Sequence, residues 1–432
     1  MPALRAVVSL LFSTALLLLG HGMQLTLLPL RADAIGMGEV LIGLSASCYF
    51  AGFVVGCIIV PRIIARVGHI RCFAALAAIM IVAVLALELL DHWAFWLVLR
   101  LATGIAISGL YSVIESWLNS QASRQNRGQI LAVYTFITLI SMAAGQLLIN
   151  IGPASAPEPF ILAALFMALA IVPIGLTRRI APTAVATTRA SFRKLYRRSH
   201  SAFAGAVLSG AVTGSFWSLG AVFARQADAS QLAVTAFMTS AIIGGALFQY
   251  PIGLLSDRRD RRQILVLLAL ANSVASIAVA LSAGHAAFLF TVVLFGATIM
   301  PMYAVSLATA ADVSSSEEFV EIGTSVLLLN GCGAILAPII LGQCMAIWGA
   351  NSLFWGFAVV CLVFAGLFLK FMREPRAVST GEQTHFAAAA SEAAPASFEL
   401  DPRGEAEDTA AAGGGAENPV AADRAEAEQS PQ

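Results

Sequence analysis

Arg100 stands inside an apolar run, Trp93-Ala94-Phe95-Trp96-Leu97-Val98-Leu99-Arg100-Leu101-Ala102-Thr103-Gly104-Ile105, where a guanidinium finds no water to solvate its charge. An arginine at the centre of a membrane-spanning helix costs at least about 2.5–3.5 kcal/mol on insertion scales, so it is normally paired and functional. Helical rise places it about 10 Å inside one end of its segment. His21 falls at nearly the same level, about 21 Å from the other end of the oppositely running first segment. Arg100 with His21 and Gln24 therefore forms the leading constellation, able to hold an anionic or polar group or to exchange a proton. A hydrogen-bonded clamp between the two segments would use the same residues, and a lone histidine is often a packing residue. Glu115 lies 15 residues beyond Arg100, about 22 Å along a helix, too far for a direct pair. It is the carboxylate set well inside a predicted segment, and reads either as a proton-titrating group or as an anchor for Arg66, Arg124 or Arg127.

These residues need elements that cross a membrane. The 432-residue chain is 59% hydrophobic and only 12% charged, with a mean hydropathy of +0.83. A soluble domain carries about 25% charged residues. Crossing the hydrocarbon core takes about 20 apolar residues of helix. Segments near 7–30, 40–61, 72–90, 93–119, 128–150 and 158–177 qualify, then six more near 201–225, 232–255, 262–283, 285–311, 320–346 and 349–371. The runs are continuous rather than alternating, which excludes a barrel of roughly 10-residue strands. An all-α membrane protein of twelve helices in two six-helix bundles is expected. Gly52 and Gly244, Pro61 and Gly253, Arg66 and Arg258, Gly104 and Gly296, and Tyr111 and Tyr303 are each 192 positions apart, so the second bundle reads as a duplicate of the first.

The domain boundaries follow: 1–177 as the first bundle, 178–200 as a basic linker, 201–372 as the second bundle, and 373–432 as a tail. Rich in Ala, Glu, Pro and Gly, the tail lacks the apolar area to offset ordering entropy, and is expected to be disordered and dispensable for transport. The net charge is zero, but the charges are sorted. Alternate loops collect Arg5, Arg62, Arg66, Arg71, Arg124, Arg127, the 178–198 run, Arg258–Arg262, Lys370, Arg373 and Arg376 on one side, against Arg31 and Arg225 on the other. The excess of basic residues marks the cytoplasmic side, so both termini are expected in the cytoplasm of a multi-pass inner-membrane protein. The linker's basic residues suit either an anionic leaflet or a topology anchor. Arg5, an apolar run and Ala32-Asp33-Ala34 imitate a signal peptide, but the run exceeds the 7–15 residues of a signal core, so an uncleaved first helix is expected. The six cysteines form no CxxC pair and read as packing residues; no metal site, cofactor or catalytic residue is expected.

Between the eighth and ninth segments runs Gly253-Leu254-Leu255-Ser256-Asp257-Arg258-Arg259-Asp260-Arg261-Arg262. This stretch resembles the signature loop of the major facilitator superfamily, G-x-L-a-D-R-x-G-R-R, departing where Asp260 replaces the second glycine. The resemblance implies a gating loop in which Gly253 permits close contact, Asp257 faces a helix N-terminus, and Arg258, Arg261 and Arg262 pair with it. In the family this loop latches the cytoplasmic side of the outward-open state, and its neighbour here would be near Arg127-Gly128. The first-half copy keeps Arg66 and Gly68 but has Pro61 and Ala65 in place of Gly and Asp. Arg100 and Gly104 are similar to the family's R-x-x-x-G helix motif, which implies that the first and fourth helices line a central cavity. Gly333-Ala334-Ile335-Leu336-Ala337-Pro338-Ile339-Ile340-Leu341-Gly342 resembles a pattern that antiporters carry in the other half, so Gly333, Pro338 and Gly342, like Gly104, read here as helix-packing or hinge residues. With Asn126-Arg127-Gly128 and Gly145-Gln146, the chain looks like the YcaD-like group of facilitator permeases.

The function implied is secondary transport of a small solute by alternating access, proton-coupled by family habit, as antiport or symport. The expected partners are that solute, protons and the lipid bilayer, with no nucleic acid and a monomeric state. Neither a phosphate-binding loop nor a hydrolase motif points to an enzyme. The alternative is a non-transporting membrane sensor or scaffold using the same fold. Gln146, Asn150, Gln249, Asn272, Tyr303, Asn330 and Gln343 suit either a polar cavity or ties between helices. Asp257→Asn is expected to lower transport while membrane insertion, measured by fractionation, stays normal; unchanged uptake would remove the latch argument.

Overall fold

A computed structural model describes residues 2–123, 126–176, 190–228, 230–373, 378, 383–384, 386 and 394–401. Arg124, Arg178, Arg179, Arg189 and Arg376, which figured in the charge pattern, lie outside the described residues. Among the described residues, twelve helices are long and apolar enough to cross a membrane. The first half contains α1 (Pro2–Ala34), α2 (Glu39–Val67), α3 (His69–Leu89), α4 (Trp93–Gln121), α5 (Arg127–Leu148) and α6 (Pro157–Gly175). A short α7 (Phe192–Arg198) precedes the second half: α8 (His200–Ala227), α9 (Gln231–Arg258), α10 (Arg261–Ser282), α11 (Phe288–Ala311), α12 (Ser316–Trp348) and α13 (Ser352–Phe371). Helices are dictated by the solvent: hydrocarbon offers backbone amides no partner, so each segment satisfies its own.

Lipid tails are as apolar as leucine, so close helix packing depends on small residues that let backbones approach. In α4, a Cβ on Gly104 would fall 2.8 Å from the Phe53 backbone nitrogen, and one on Gly52 of α2 would be 2.9 Å from the Leu101 carbonyl carbon. The second half repeats this contact between α9 and α11, where a Cβ on Gly244 would lie 2.9 Å from the Val293 carbonyl carbon, and one on Gly296 would lie 2.7 Å from the Ala241 Cα. Gly22 of α1 against Met142 of α5, and Gly214 of α8 against Ala334 of α12, are a further pair of contacts at the same 192-residue offset. The duplication read from sequence is thus a duplication of backbone contacts.

The helices run further than the apolar segments. Arg62 and Arg66 lie on α2 itself, and a single Gly68 with φ +83° turns the chain into α3. Similarly, Asp257 and Arg258 belong to α9, leaving Arg259 and Asp260 as the turn, with Asp260 accepting from the Arg262 amide at 3.0 Å to cap α10. The departure from the family pattern at 260 is therefore a helix N-cap, a role aspartate fills well. We call the face with Arg62, Arg66 and this turn the basic face.

Within the tail, the described residues 394–401 are packed rather than disordered, unlike the sequence expectation for 373–432. Ala394 is 0% exposed and Phe398 3% exposed, and Ser397–Leu400 forms a single turn, α14, against α4, α5 and α12. Two phenylalanines, Phe386 and Phe398, supply apolar anchors that the composition average conceals. Burying one such ring contributes about 1.5–3 kcal/mol. In the described part of the linker, Lys194 pairs with Glu318 at 2.8 Å and Glu321 at 2.9 Å, and Arg198 pairs with Glu318, tying α7 to the start of α12.

Overpacking a helix contact typically costs about 1–3 kcal/mol. Gly104→Leu and Gly296→Leu should each lower the melting temperature in detergent, whereas Gly366→Ala, where nothing lies within 4 Å, should not. Equal melting of all three would contradict the packing argument.

Candidate functional site

α1, α2 and α4 meet around a buried cation. The Arg100 guanidinium sits 4.4 Å from the centre of the Tyr49 ring, and the Tyr49 hydroxyl lies 3.3 Å from His21 Nε2. Arg100 and His21 thus share a level, as their positions along the helices require, but the tyrosine stands between them. Cation–π attraction contributes roughly 0.5–2 kcal/mol, rising with desolvation. No carboxylate among the described residues pairs with Arg100, although it is 7% exposed. Gln24 lies near enough to His21 to interact, yet its amide oxygen and nitrogen and His21 Nδ1 have no partner at hydrogen-bond geometry. Buried amide groups in that state are rare, because each forgoes its water without replacement. Arg100 also borders a narrow cleft that Ser45 of α2 and Ser218 of α8 share, so the cluster reaches the seam between halves. Sequence reasoning missed Tyr49; the signal available was an aromatic residue on a helix packed against an arginine lacking an acid.

Glu115 is separate from this cluster, as the helical spacing demanded. It is 0% exposed, and accepts from the Tyr134 hydroxyl at 3.1 Å and from the Ala394 amide at 2.9 Å. Its partners are a neighbouring helix and the tail, a pairing neither sequence reading anticipated.

Beyond the cluster the halves are closed on the face opposite the basic one. Gly43 of α2 packs against the Pro338 carbonyl group of α12, and a Cβ on Gly342 would fall 2.6 Å from the Glu39 oxygen. Asn150 donates to Thr235 at 2.9 Å, and Gln231 donates to the Ile149 and Gly152 carbonyls, each at 2.8 Å, while accepting from the Ala154 amide at 2.8 Å. Arg225 pairs with Asp33 at 3.3 Å, and Gln226 donates to Glu39 at 3.1 Å. Pro338 and Gly342 therefore close a seam between halves, while Gly333 packs within the second half, against Ala211 of α8.

On the basic face the halves diverge around a cavity of about 740 Å³. Val54, Cys57, Ser112 and Ser116 line it from the first half, and Thr324, Leu328 and Cys332 from α12. Most other intramembrane amides tie helices together: Gln146 donates to the Gly22 carbonyl at 2.9 Å and accepts from Thr26 at 2.5 Å, and Asn272 donates to Thr298 at 2.8 Å.

The gating loop is joined differently from the family expectation. Arg261, 1% exposed, pairs with Asp257 at 3.0 Å and Asp312 at 2.6 Å, and donates to the Ala308 carbonyl at 2.8 Å. Burial raises the Asp312 carboxyl above its ordinary value, with Arg261 and Thr384 pulling it back. Asp257 accepts from the Phe386 amide at 2.9 Å, and Phe386 covers Gly253, so the tail fills the place of close contact. Arg262 pairs with Asp260 at 3.1 Å; Arg258 and Arg66 are exposed. Near Arg127, the carboxylate of Glu399 accepts from Asn119 at 2.7 Å.

Twelve membrane-spanning helices in two related halves, closed at one face and holding a cavity at the other, define a membrane protein of the facilitator fold. The sequence pattern of the Major Facilitator Superfamily matches residues 10–244 and 202–403, and the chain belongs to that family. It is 27% identical over 369 residues to the uncharacterized MFS-type transporter YcaD of Escherichia coli O17:K52:H18 (strain UMN026 / ExPEC), covering 85% of this chain and 96% of that one; the counterpart in Shigella dysenteriae serotype 1 (strain Sd197) matches equally. Among solved structures it is similar in fold to the nucleoside transporter NupG, with a TM-score of 0.71 and 15% identity over 85% of this chain and 99% of that one. A bacterial homolog to the human lysosomal transporter Spinster, in an inward-facing and occupied conformation, gives 0.69 and 13% identity over 85% and 96%.

Gln231→Ala removes three hydrogen bonds across the closed seam. A net loss of about 1.4 kcal/mol would open the seam roughly tenfold more often. Ser218→Cys in that background should react faster with a water-soluble maleimide; an unchanged rate would show that the seam does not rest on Gln231.

Proposed function

We propose that the chain is a secondary transporter that moves a small neutral, amphipathic or weakly anionic solute by rocking its two halves about the seam. The observation that carries this reading is the asymmetry of the seam: hydrogen-bonded shut beyond Arg100, parted around a 740 Å³ cavity on the basic face. With the basic face cytoplasmic, as the positive-inside rule requires, both termini lie in the cytoplasm of the inner membrane and this conformation is inward-facing. Its likeness in fold to an inward-facing Spinster homolog supports that assignment.

Arg100 is the polar anchor of the proposed site. Its charge rests on an aromatic face rather than a carboxylate, and the unpaired Gln24 amide offers both a donor and an acceptor near His21 in the same cluster. Such a set favours a solute bearing one carboxylate or a carbonyl-rich head, with an apolar body against the cavity wall. Proton coupling would draw on His21 and Glu115, which sit in separate environments: Glu115 lies about 22 Å along α4 from Arg100, the neighbour of His21 in its cluster.

The test is a panel of neutral and monoanionic solutes offered to pyranine-loaded proteoliposomes under an imposed pH gradient. Arg100→Ala should cut solute-dependent flux at least tenfold, and Glu115→Gln should abolish its response to pH. Flux that ignores the gradient would remove coupling, and a folded protein moving no solute of either class would remove the transport reading.

A further inference from the structure

The tail is placed where moving halves would meet. Residues Pro395, Ala396 and Glu399 form part of the wall of the cavity at its open end, alongside Ser116 of α4 and Thr324 of α12. Each side of the mouth holds the segment by different chemistry. On the first half, the Ala394 amide donates to Glu115 and Glu399 accepts from Asn119 at 2.7 Å. On the second half, the Phe398 ring meets Phe319 edge-on at 6.1 Å between centroids, and packs so tightly over Gly323 that a Cβ there would fall 2.8 Å from the ring. Fully buried Glu115, next in sequence to Ser116 of the cavity wall, has its oxygens turned toward this segment and Tyr134, so the tail satisfies a buried polar group.

A second anchorage lies on the gating loop. Thr384 donates its amide to Asp312 at 3.0 Å and gives its carbonyl to Arg261, while the Phe386 amide occupies Asp257. Asp257 is the carboxylate that the family's latch would direct to the start of α5. Instead, Glu399 lies within reach of Arg127, the first residue of α5. The tail thus takes both ends of the contact that would join the halves on this face.

We propose that residues 394–401 are a built-in stopper and wedge: docked, they close the cavity to the basic face and hold α4 and α12 apart, so that the protein neither exchanges solute nor turns outward until they leave. The inference names a regulation of the site proposed above and rests on that reading for its consequence to transport. The docking itself stands on the contacts alone. Two anchor sites on one chain make release cooperative in the sense that losing either one lowers the effective concentration of the other.

The native Cys332, half-buried on the cavity wall, reports on the mouth without any known solute. In nanodiscs, where both faces meet solvent, a variant retaining Cys332 as its one cysteine is exposed to a bulky, charged maleimide. Relative to the full chain, truncation after residue 377 should speed labelling about tenfold or more, and Phe398→Asp, which keeps the whole tail, should do the same. Phe398→Tyr, able to keep the ring over Gly323, should label as slowly as the full chain. Rates within twofold of one another for the full chain, the truncation and Phe398→Asp would overturn the proposal. Faster labelling of the released forms without flux of any solute would uphold the stopper and remove only the transport reading.

Discussion

The rest of the structure depends on backbone meeting backbone where side chains are missing. In a lipid solvent there is little hydrophobic force to press helices together, so dispersion between closely spaced chains carries much of the cohesion. Gly52 with Gly104, and Gly244 with Gly296, bring paired helices to contacts that a methyl group would prevent. Since both halves use the same contacts at the same spacing, each is a stiff unit built the same way. Motion is then left to the surface between them.

That surface is polar at one end and parted at the other. Hydrogen bonds from Gln231, Asn150 and Gln226 join the halves beyond Arg100, and each contributes only about 0.5–1.5 kcal/mol net. A handful of such bonds holds a conformation without making it permanent, which suits a seam that must open. By contrast, the cation at its inner edge is held by the Tyr49 face, and no acid among the described residues neutralises it. An arginine so placed keeps its charge available to an arriving group while remaining oriented.

Electrostatics on the basic face follow a different logic. Arg261 is almost fully buried but shared among Asp257, Asp312 and backbone oxygens, so its charge is satisfied inside the second half and by the tail. Breaking one partner from a buried pair leaves the other uncompensated, and costs more than the pair contributes. The tail's attachment to this cluster is therefore firmer than its composition suggests. A polypeptide of alanine and glutamate docks because two aromatic rings and a few backbone amides find pre-formed places, not because it has a core of its own.

Much of the architecture was legible in the residues. Continuous apolar runs, each longer than the bilayer core, set the number of helices, and the constant offset of glycines announced the two related halves. The level of Arg100 and His21, and the separation of Glu115, followed from helical rise, which needs no knowledge of neighbours. What the chain could not reveal was which side chains would face one another across helices. Tyr49 between Arg100 and His21, the tail amide on Glu115, and Phe386 over Gly253 all join residues far apart in sequence. Their juxtaposition depends on helix rotation and crossing, set by the sum of many contacts at once. Composition and spacing are local quantities and fix what can cross a membrane; partnership is a property of the packed whole, and was decided only there.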